Sequence, residues 1–239
     1  MKGLLEVLPK PASEKTGWPW TEETSPSSFD VNRAYPKISI VTPSYNQGQF
    51  IEETIRSVLL QNYPNLEYIV IDDGSTDNSV DIIKKYAPWL TYWVSEKDRG
   101  QSHAINKGFE KATGQLFAWM NSDDFYAKSA LFEISSCLDS EFDLYVGIGH
   151  KVNLGREIIY SPNPSNLGLK YFINWGKGNN FMQPAAFFTK RAFRNVGGLD
   201  ESYNYGMDVD LWIKLAKHYK LKKIEKTLAY AYEHVEAKT

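Results

Sequence analysis

From residue 38 onward, apolar runs of about strand length alternate with segments whose apolar residues recur at helical spacing. Runs of the first kind predict buried strands, and segments of the second kind predict helices. The predicted strands are 38–42, 68–71, 91–94 and 116–120, and the predicted helices are 50–60, 79–86, 101–111 and 128–138. Four strand–helix units in succession indicate a parallel sheet with right-handed crossovers, which is typical of nucleotide-binding domains.

The alternation weakens in the second half of the chain, where glycine, proline and asparagine are frequent between residues 153 and 166. Strands are predicted at 144–149 and 183–189, helices at 191–196 and 208–219, and two short strands near Leu221 and Ala229. Residues 1–36 contain five prolines and predict an irregular arm. Because its stretch 17–20 is rich in aromatic residues, we expect this arm to pack on the main body, residues 37–239.

Composition narrows the class of protein. A chain of 239 residues with 42% hydrophobic and 23% charged side chains forms one large or two small globular domains. The net charge of −2 argues against a nucleic-acid binder, which carries a basic excess. The one cysteine, Cys137, is expected to be a core thiol, in keeping with the cytoplasm. No stretch approaches the ~20 apolar residues of a membrane helix, so we expect a cytoplasmic protein that is at most peripherally attached, at the inner face of the membrane.

The strand at 116–120 ends at a polar tetrad, Asn121, Ser122, Asp123 and Asp124. Adjacent carboxylates repel each other, so a hard divalent cation is their natural partner. The alternative is a polar turn in which Asp124 caps the following helix.

Further carboxylates follow the other predicted strands. Asp72 and Asp73 end the second strand and Asp98 follows the third, while Asp208 and Asp210 open the late helix. The ends of parallel strands share one edge of the sheet, and that edge is where ligands bind. Each residue alone could be a turn or cap residue, but their convergence is a more specific signal.

The loop after the first strand, residues 43–48, lacks the glycine pattern of dinucleotide sites and the Gly-Lys-Ser/Thr of P-loops. Phosphate must therefore be held in another way, and a metal on Asp123 would supply the charge. Tyr45 is suited to stack on a base, and Asp73 to accept a hydrogen bond from a base imide N–H.

Six ordered motifs resemble those of the inverting family-2 glycosyltransferases, and the match runs from about residue 37 to 238. The motifs are 41–46 (VTPSYN), 71–77 (IDDGSTD), 98–101 (DRGQ), 104–108 (AINKG), 121–124 (NSDD) and 207–210 (MDVD). The resemblance implies a GT-A fold, a Rossmann-like α/β domain with a mixed, mainly parallel sheet flanked by helices. It also implies that residues 37–125 bind the nucleotide-sugar and 126–239 bind the acceptor and carry the catalytic base. The arm resembles an extension seen in one bacterial branch of the family.

The resemblance assigns roles residue by residue. The nucleotide-sugar site comprises Pro43, Tyr45, Asn46, Asp72, Asp73, Asp98, Arg99, Gln101, Asn106, Asn121 and Ser122. Asp123 matches the carboxylate that binds Mn²⁺ or Mg²⁺, and His234 matches a C-terminal histidine that approaches the metal or diphosphate. Asp208 matches the catalytic base. Gln183, Pro184, Asp210 and the loop 174–180 are candidates for the acceptor side.

The implied activity is metal-dependent transfer of a sugar, with inversion, from a nucleoside-diphosphate sugar, UDP-linked by preference. The acceptor is a hydroxyl of a saccharide or lipid-linked saccharide in bacterial surface polysaccharide synthesis. Three positions depart from the family pattern: Asn121 replaces an Asp, Met207 replaces an acidic residue, and Glu233 replaces a basic one. Two alternatives stay open: a non-catalytic nucleotide-sugar binder, and a sugar-1-phosphate nucleotidyltransferase, which would want a Gly-rich, Arg/Lys-bearing first loop.

Overall fold

The computed structural model describes residues 2–162, 167–178, 180–235 and 237. Within them, nine strands form one sheet. The strands are β1 (Ile38–Ser44), β2 (Leu66–Asp72), β3 (Tyr92–Ser95), β4 (Leu116–Trp119), β5 (Asp124–Tyr126), β6 (Leu144–Val152), β7 (Ile158–Tyr160), β8 (Ala186–Thr189) and β9 (Leu221–Tyr232). The α-helices are α1 (Ile51–Leu59), α2 (Ser79–Tyr86), α3 (Gln101–Lys111), α4 (Ala130–Cys137), α5 (Leu169–Phe172), α6 (Lys190–Asn195) and α7 (Met207–His218).

The first four strands are parallel and lie in the order β3-β2-β1-β4, as successive strand–helix units predict. Beyond β4 the order continues β8-β6-β9-β5, with β7 beside β6. β8 runs antiparallel to β4 and to β6, and β5 runs antiparallel to β9. The sheet is therefore mixed but mainly parallel, which confirms the predicted fold class.

Two predictions about local structure are wrong. Asp124 does not cap a helix: it opens β5 and pairs with Ala231 of β9, while α4 starts only at Ala130. The two short strands expected near Leu221 and Ala229 are one continuous strand, β9. The pairing of β9 with β6 shifts register between Val146 and Ile148. The polar residues of β9 lie in this irregular stretch, so they do not divide the strand in two.

The core lies on both faces of the sheet. One cluster includes Ile40 and Tyr68, and the other includes Val41 and Trp119, because successive strand residues point to opposite faces. Cys137 is half-buried and packs against the first cluster, as expected of a core thiol. In the part of the chain that the structure describes, no helix is long and apolar enough to cross a membrane.

The arm is held to the body by a buried arginine of α1. Arg56 is fully buried and donates hydrogen bonds to the carbonyls of Pro9 (2.7 Å), Pro19 (3.0 Å) and Trp20 (2.8 Å). In addition, the Trp18 indole donates to the Tyr126 carbonyl at 2.7 Å. The arm thus contacts both α1 and β5. β5 begins at the last residue of the polar tetrad, and α1 packs against β5.

Candidate active site

A cleft of about 910 Å³ lies at the edge of the sheet where β1, β2 and β4 end. The directions of the other strands bring their ends to the same edge: β6 and β9 end there, whereas β5 and β8 begin there. Sequence positions far apart in the chain therefore meet. Of the predicted site residues, those that line the cleft are Pro43, Tyr45, Asn46, Asp73, Asp98, Gln101, Asn121, Ser122, Asp123, Gln183 and Asp208.

One end of the cleft carries two acceptors and an exposed ring. The backbone N–H of Asp98 donates to Asp73 Oδ1 at 2.6 Å, and the Asp73 N–H donates to the Ser44 carbonyl at 2.9 Å. Burial raises the pKa of Asp98, and the nearby Asp73 carboxylate adds to the rise. Tyr45 is 50% exposed, so one face of its ring is open to a ligand. This end combines a stacking surface with hydrogen-bond acceptors, which suits a nucleobase.

Lys97, which the sequence did not single out, also lies at this end. Its ammonium sits 4.8 Å from the centroid of the Tyr45 ring and 4.0 Å from Asp73 Oδ1. It lies on the solvent side of Tyr45 and Asp73. No sequence pattern distinguishes it from other surface lysines.

A network of side-chain amides forms the floor of the cleft. Asn121 accepts a hydrogen bond from Gln101 Nε2 at 2.8 Å, and it donates to Asp124 Oδ2 (3.1 Å) and Gln183 Oε1 (3.3 Å). Gln183 in turn donates to the Trp119 carbonyl at 3.0 Å. Asn121 therefore links the tetrad to α3 through Gln101, and to the segment before β8 through Gln183.

Helix α1 fixes the backbone of the tetrad. Thr54 Oγ1 lies 2.9 Å from the Ser122 carbonyl and 2.7 Å from the Asp124 carbonyl. About one helical turn further along α1, Ser57 Oγ accepts a hydrogen bond from the Tyr126 N–H at 3.1 Å. These contacts set where the carboxylates point, and the helical pattern alone gave no sign of them.

Asp123, which lines the cleft, pairs with His234, whose side chain is largely buried beside it. His234 Nε2 lies 3.0 Å from Asp123 Oδ2, and the imidazole packs on the Phe50 ring with centroids 4.6 Å apart. The flanking sequence of His234 is described only in part, because residues 236, 238 and 239 lie outside the described residues. The structure thus brings His234 beside Asp123, the residue expected to bind the metal.

The side chains around Asp123 could provide only part of the ligand shell of a divalent metal. Among the described residues, no group of three His, Cys, Asp or Glu side chains could hold an ion unaided. Asp124 is buried and its Oδ2 already accepts a hydrogen bond from Asn121; burial, together with the charge of Asp123, raises the pKa of its carboxyl well above the ordinary value. Mg²⁺ is commonly held by one or two carboxylates plus substrate phosphates, and Mn²⁺ also accepts imidazole. Asp123 and His234 fit such a shared site, which phosphate oxygens would complete.

Asp208 is the second residue of α7 and faces the cleft. Burial raises the pKa of its carboxyl, and hydrogen bonds from backbone N–H groups at the helix start partly offset that rise. The preceding Met207 is buried, and its sulfur accepts a hydrogen bond from Ser102 of α3. Met207 thus anchors α7, and Asp208 stands without an acidic neighbour in sequence.

Two predicted nucleotide ligands, Asp72 at the end of β2 and Asn106 in α3, do not line the cleft. Asp72 is fully buried and accepts hydrogen bonds from Ser75 Oγ (2.5 Å) and Ser95 Oγ (2.7 Å), which shapes the turn after β2. Asn106 Nδ2 donates to the Leu199 carbonyl at 2.9 Å and so holds the loop before α7. The expectation that Asp72 and Asn106 line the cleft is therefore corrected.

Arg99 and Asp210 are also engaged elsewhere. Arg99 pairs with Glu201 at 2.7 Å, outside the cleft and beside a smaller pocket. Asp210 pairs with Lys214 one turn along α7 at 2.6 Å. Neither lines the cleft, so the structure does not bring Arg99 or Asp210 together with the other predicted site residues.

The predicted acceptor side forms the wall opposite the base-binding end. Pro184, Trp175 and Asn180 line this wall, together with Tyr160, whose hydroxyl donates to Asn180 Oδ1 at 2.8 Å. Residue 179 of the predicted loop 174–180 lies outside the described residues. The wall offers aromatic faces and amide groups, which is a surface suited to sugars.

The sequence model of the family described as Glycosyl transferase family 2 matches residues 39–197. The chain belongs to this family. An uncharacterized glycosyltransferase from Rickettsia typhi is 29% identical over 199 residues, which are 78% of this chain and 60% of that relative. The chain thus spans about 60% of the length of this curated relative.

Two solved structures share the fold. Residues 1–349 of S. aureus TarS, in complex with UDP-GlcNAc, match with a TM-score of 0.70 at 21% identity, over 84% of this chain and 60% of that one. The mannosyltransferase PcManGT from Pyrobaculum calidifontis, in complex with GDP-Man and Mn²⁺, matches with a TM-score of 0.63 at 20% identity, over 94% of this chain and 62% of that one. The likeness establishes the GT-A fold of this family member.

Proposed function

We propose that the protein is an inverting glycosyltransferase that moves a sugar from a nucleoside-diphosphate sugar to a hydroxyl acceptor. One observation carries the proposal: a single cleft has a base-binding end at Asp73, a metal-compatible pair at Asp123, and a half-buried carboxylate at Asp208. These are the three groups that such a transfer requires. Residues 37–125 supply the donor half, and residues 126–239 supply Asp208 and the acceptor half.

The donor base binds between Tyr45 and Asp73. The exposed ring of Tyr45 stacks on the base, and Asp73 accepts the hydrogen bond from its imide N–H. Uracil has such an N–H donor, so the site favours UDP. Guanine also carries an N1–H, so GDP is the competitor to test. The ligands of the two solved relatives, UDP-GlcNAc and GDP-Man, span this choice.

The diphosphate binds at Asn121, Ser122 and Asp123. A Mn²⁺ or Mg²⁺ ion, held by Asp123 and His234 and completed by phosphate oxygens, would neutralise the charge of the leaving group. The amide network keeps Asn121 in place, and the two contacts of Thr54 fix the direction of the Asp123 backbone.

Asp208 removes the proton from the acceptor hydroxyl. The acceptor oxygen forms a bond to the anomeric carbon as the bond from that carbon to the phosphate oxygen breaks, the proton passes to Asp208, and the nucleoside diphosphate leaves. Attack from the face opposite the leaving group inverts the anomeric centre and needs no nucleophile from the protein. The raised pKa of Asp208 makes its carboxylate a stronger base.

The acceptor is proposed to be a saccharide or lipid-linked saccharide presented at the inner face of the membrane. Next to the cleft, β7 exposes Ile158 and Ile159, with 54% and 47% of their surface free. Residues 150–180 contain four basic residues and one acidic residue, whereas the whole chain has 27 and 29. An apolar edge with a basic surround suits an anionic bilayer. Co-sedimentation with anionic but not neutral vesicles is expected, and equal recovery with both would contradict it.

Calorimetric titration with UDP, GDP and ADP, each with and without Mn²⁺, tests the donor site. We expect UDP to bind most tightly and Mn²⁺ to strengthen its binding. Binding of none of them in the presence of metal would overturn the proposal. Binding without release of nucleoside diphosphate from any sugar donor would favour the non-catalytic binder. A nucleotidyltransferase is disfavoured because the loop 43–48 contains no Arg or Lys to meet a triphosphate.

A further inference from the structure

Lys151 lies on the wall of the cleft beside the tetrad, but it has no role in the scheme above. It is the penultimate residue of β6 and is paired with Ala231 of β9. Ala231 is paired in turn with Asp124 of β5. Residues that are directly paired across a sheet point to the same face, so Lys151, Ala231 and Asp124 form a row on the cleft side.

The middle residue of this row is small. Strands two apart are separated by roughly 10 Å, and the alanine side chain fills little of that space. The gap between Lys151 and the carboxylates of the tetrad is therefore open to the cleft, where Ala231 also forms part of the lining. It is wide enough for a phosphate group to lie between an extended lysine and the tetrad.

The ammonium of Lys151 is free for a ligand. None of the described residues forms a hydrogen bond or an ion pair with it, although the side chain is half-buried. Asp124 does not need it as a partner, since Asp124 already accepts hydrogen bonds from Asn121 and from the backbone of Tyr232.

The tetrad offers a metal few anionic ligands, so a metal there would be weakly held. Asn121 is neutral, and the buried Asp124 carboxylate already accepts a hydrogen bond from Asn121, so Asp123 is the one carboxylate of the tetrad without such a contact to Asn121. A nucleoside diphosphate is a multiply charged anion, and one weakly held metal neutralises it incompletely. We propose that Lys151 binds the diphosphate of the donor directly and shares the neutralisation of the leaving group with the metal. The inference rests on the proposed function.

The test compares nucleotides that differ in phosphate content. Wild type, Lys151→Gln, Lys151→Arg and the control Lys217→Gln, which removes an equal charge from the exposed end of α7, are titrated with uridine, UMP and UDP by calorimetry, with and without Mn²⁺. Loss of a charged hydrogen bond is expected to weaken UDP binding to Lys151→Gln roughly ten- to hundredfold, even without Mn²⁺. Uridine affinity should stay within about twofold, Lys151→Arg should retain most of the UDP affinity, and Lys217→Gln should behave as wild type.

The outcomes separate three explanations. Unchanged UDP affinity in Lys151→Gln would overturn the inference and leave the donor site intact. An equal loss for uridine and UDP, with a lowered melting temperature, would also overturn it, because Lys151 would then only support the fold around Asp124. A wild-type protein that binds neither UDP nor any other nucleoside diphosphate would overturn the proposed function, and the role of Lys151 with it.

Discussion

Replacement of Asp208 by Asn tests the proposed chemistry most directly. The change removes the charge and the basicity of the carboxylate but keeps its shape. An amide oxygen can still accept the hydrogen bond from the Val209 N–H at the start of α7. The nucleotide would be held by Tyr45, Asp73 and Asp123, which belong to other elements, so its affinity should change by less than about twofold.

The expected loss of rate follows from the role of the base. General base catalysis contributes roughly 10²–10⁴ in rate. Because burial raises the pKa of Asp208 and strengthens it as a base, we expect the upper part of this range, about 10³–10⁴, which equals ~4–5.4 kcal/mol of barrier. Thermal stability at neutral pH should be equal or slightly higher, since the ionised form of a carboxyl with a raised pKa opposes folding above that pKa.

The assay measures release of UDP from UDP-sugars in the presence of saccharide acceptors, beside calorimetry of UDP binding. The matched control is Asp210→Asn, two residues further along α7, where the carboxylate pairs with Lys214 outside the cleft. It should retain nearly full activity. The reasoning would be refuted if Asp208→Asn kept more than a tenth of the wild-type rate, or if both variants lost activity equally.

Three further predictions concern pH, the arm and the tetrad. The rate should fall as pH decreases through a pKa above the usual 3.8 of an aspartate, because Asp208 must be ionised to act; a pH profile of kcat with no acid limb above pH 4 would contradict this. Arg56→Met should lower the free energy of unfolding in urea by about 3–5 kcal/mol and speed proteolysis of the arm. The change leaves three carbonyls of the arm without their hydrogen-bond donors, and a loss under ~1 kcal/mol would show that other contacts hold the arm. Asn121→Asp should melt at a lower temperature without metal, through repulsion with Asp123 and Asp124, and should gain more than wild type from Mn²⁺ with UDP; an unchanged response to Mn²⁺ would exclude Asn121 from the metal-binding position.

The first half of the fold follows from its sequence pattern because each strand there is buried and each helix has one apolar face. The edge on which the carboxylates meet also follows, since parallel strands end together. β5 could not be predicted, because a three-residue strand opened by Asp124 is too short to show a period. β9 looked like two strands because lysine and glutamate interrupt its apolar residues, whereas a register slip against β6 keeps it continuous.

The hydrophobic pattern of the sequence does not predict the direction in which each polar side chain points. Asp72 and Asp73 are adjacent and look equivalent in sequence, but consecutive residues at a strand end point to opposite sides. Asp73 therefore faces the cleft, while Asp72 is buried and accepts hydrogen bonds from two serines. Thr54 could not be found by pattern either, because its function depends on the distance between α1 and the tetrad.

The neighbours of Asn121 account for its departure from the aspartate of the family motif. In sequence it looks like the loss of a metal ligand. In the structure its amide nitrogen donates to both Asp124 and Gln183, and its oxygen accepts from Gln101. An aspartate has no N–H, so it would leave both donations unmade and place a third carboxylate beside Asp123 and Asp124. The amide is therefore the side chain that satisfies the hydrogen bonds of this floor. Because it supplies no negative charge to a metal, the metal would be held more weakly, and the diphosphate would depend more on a direct contact with a cation such as Lys151.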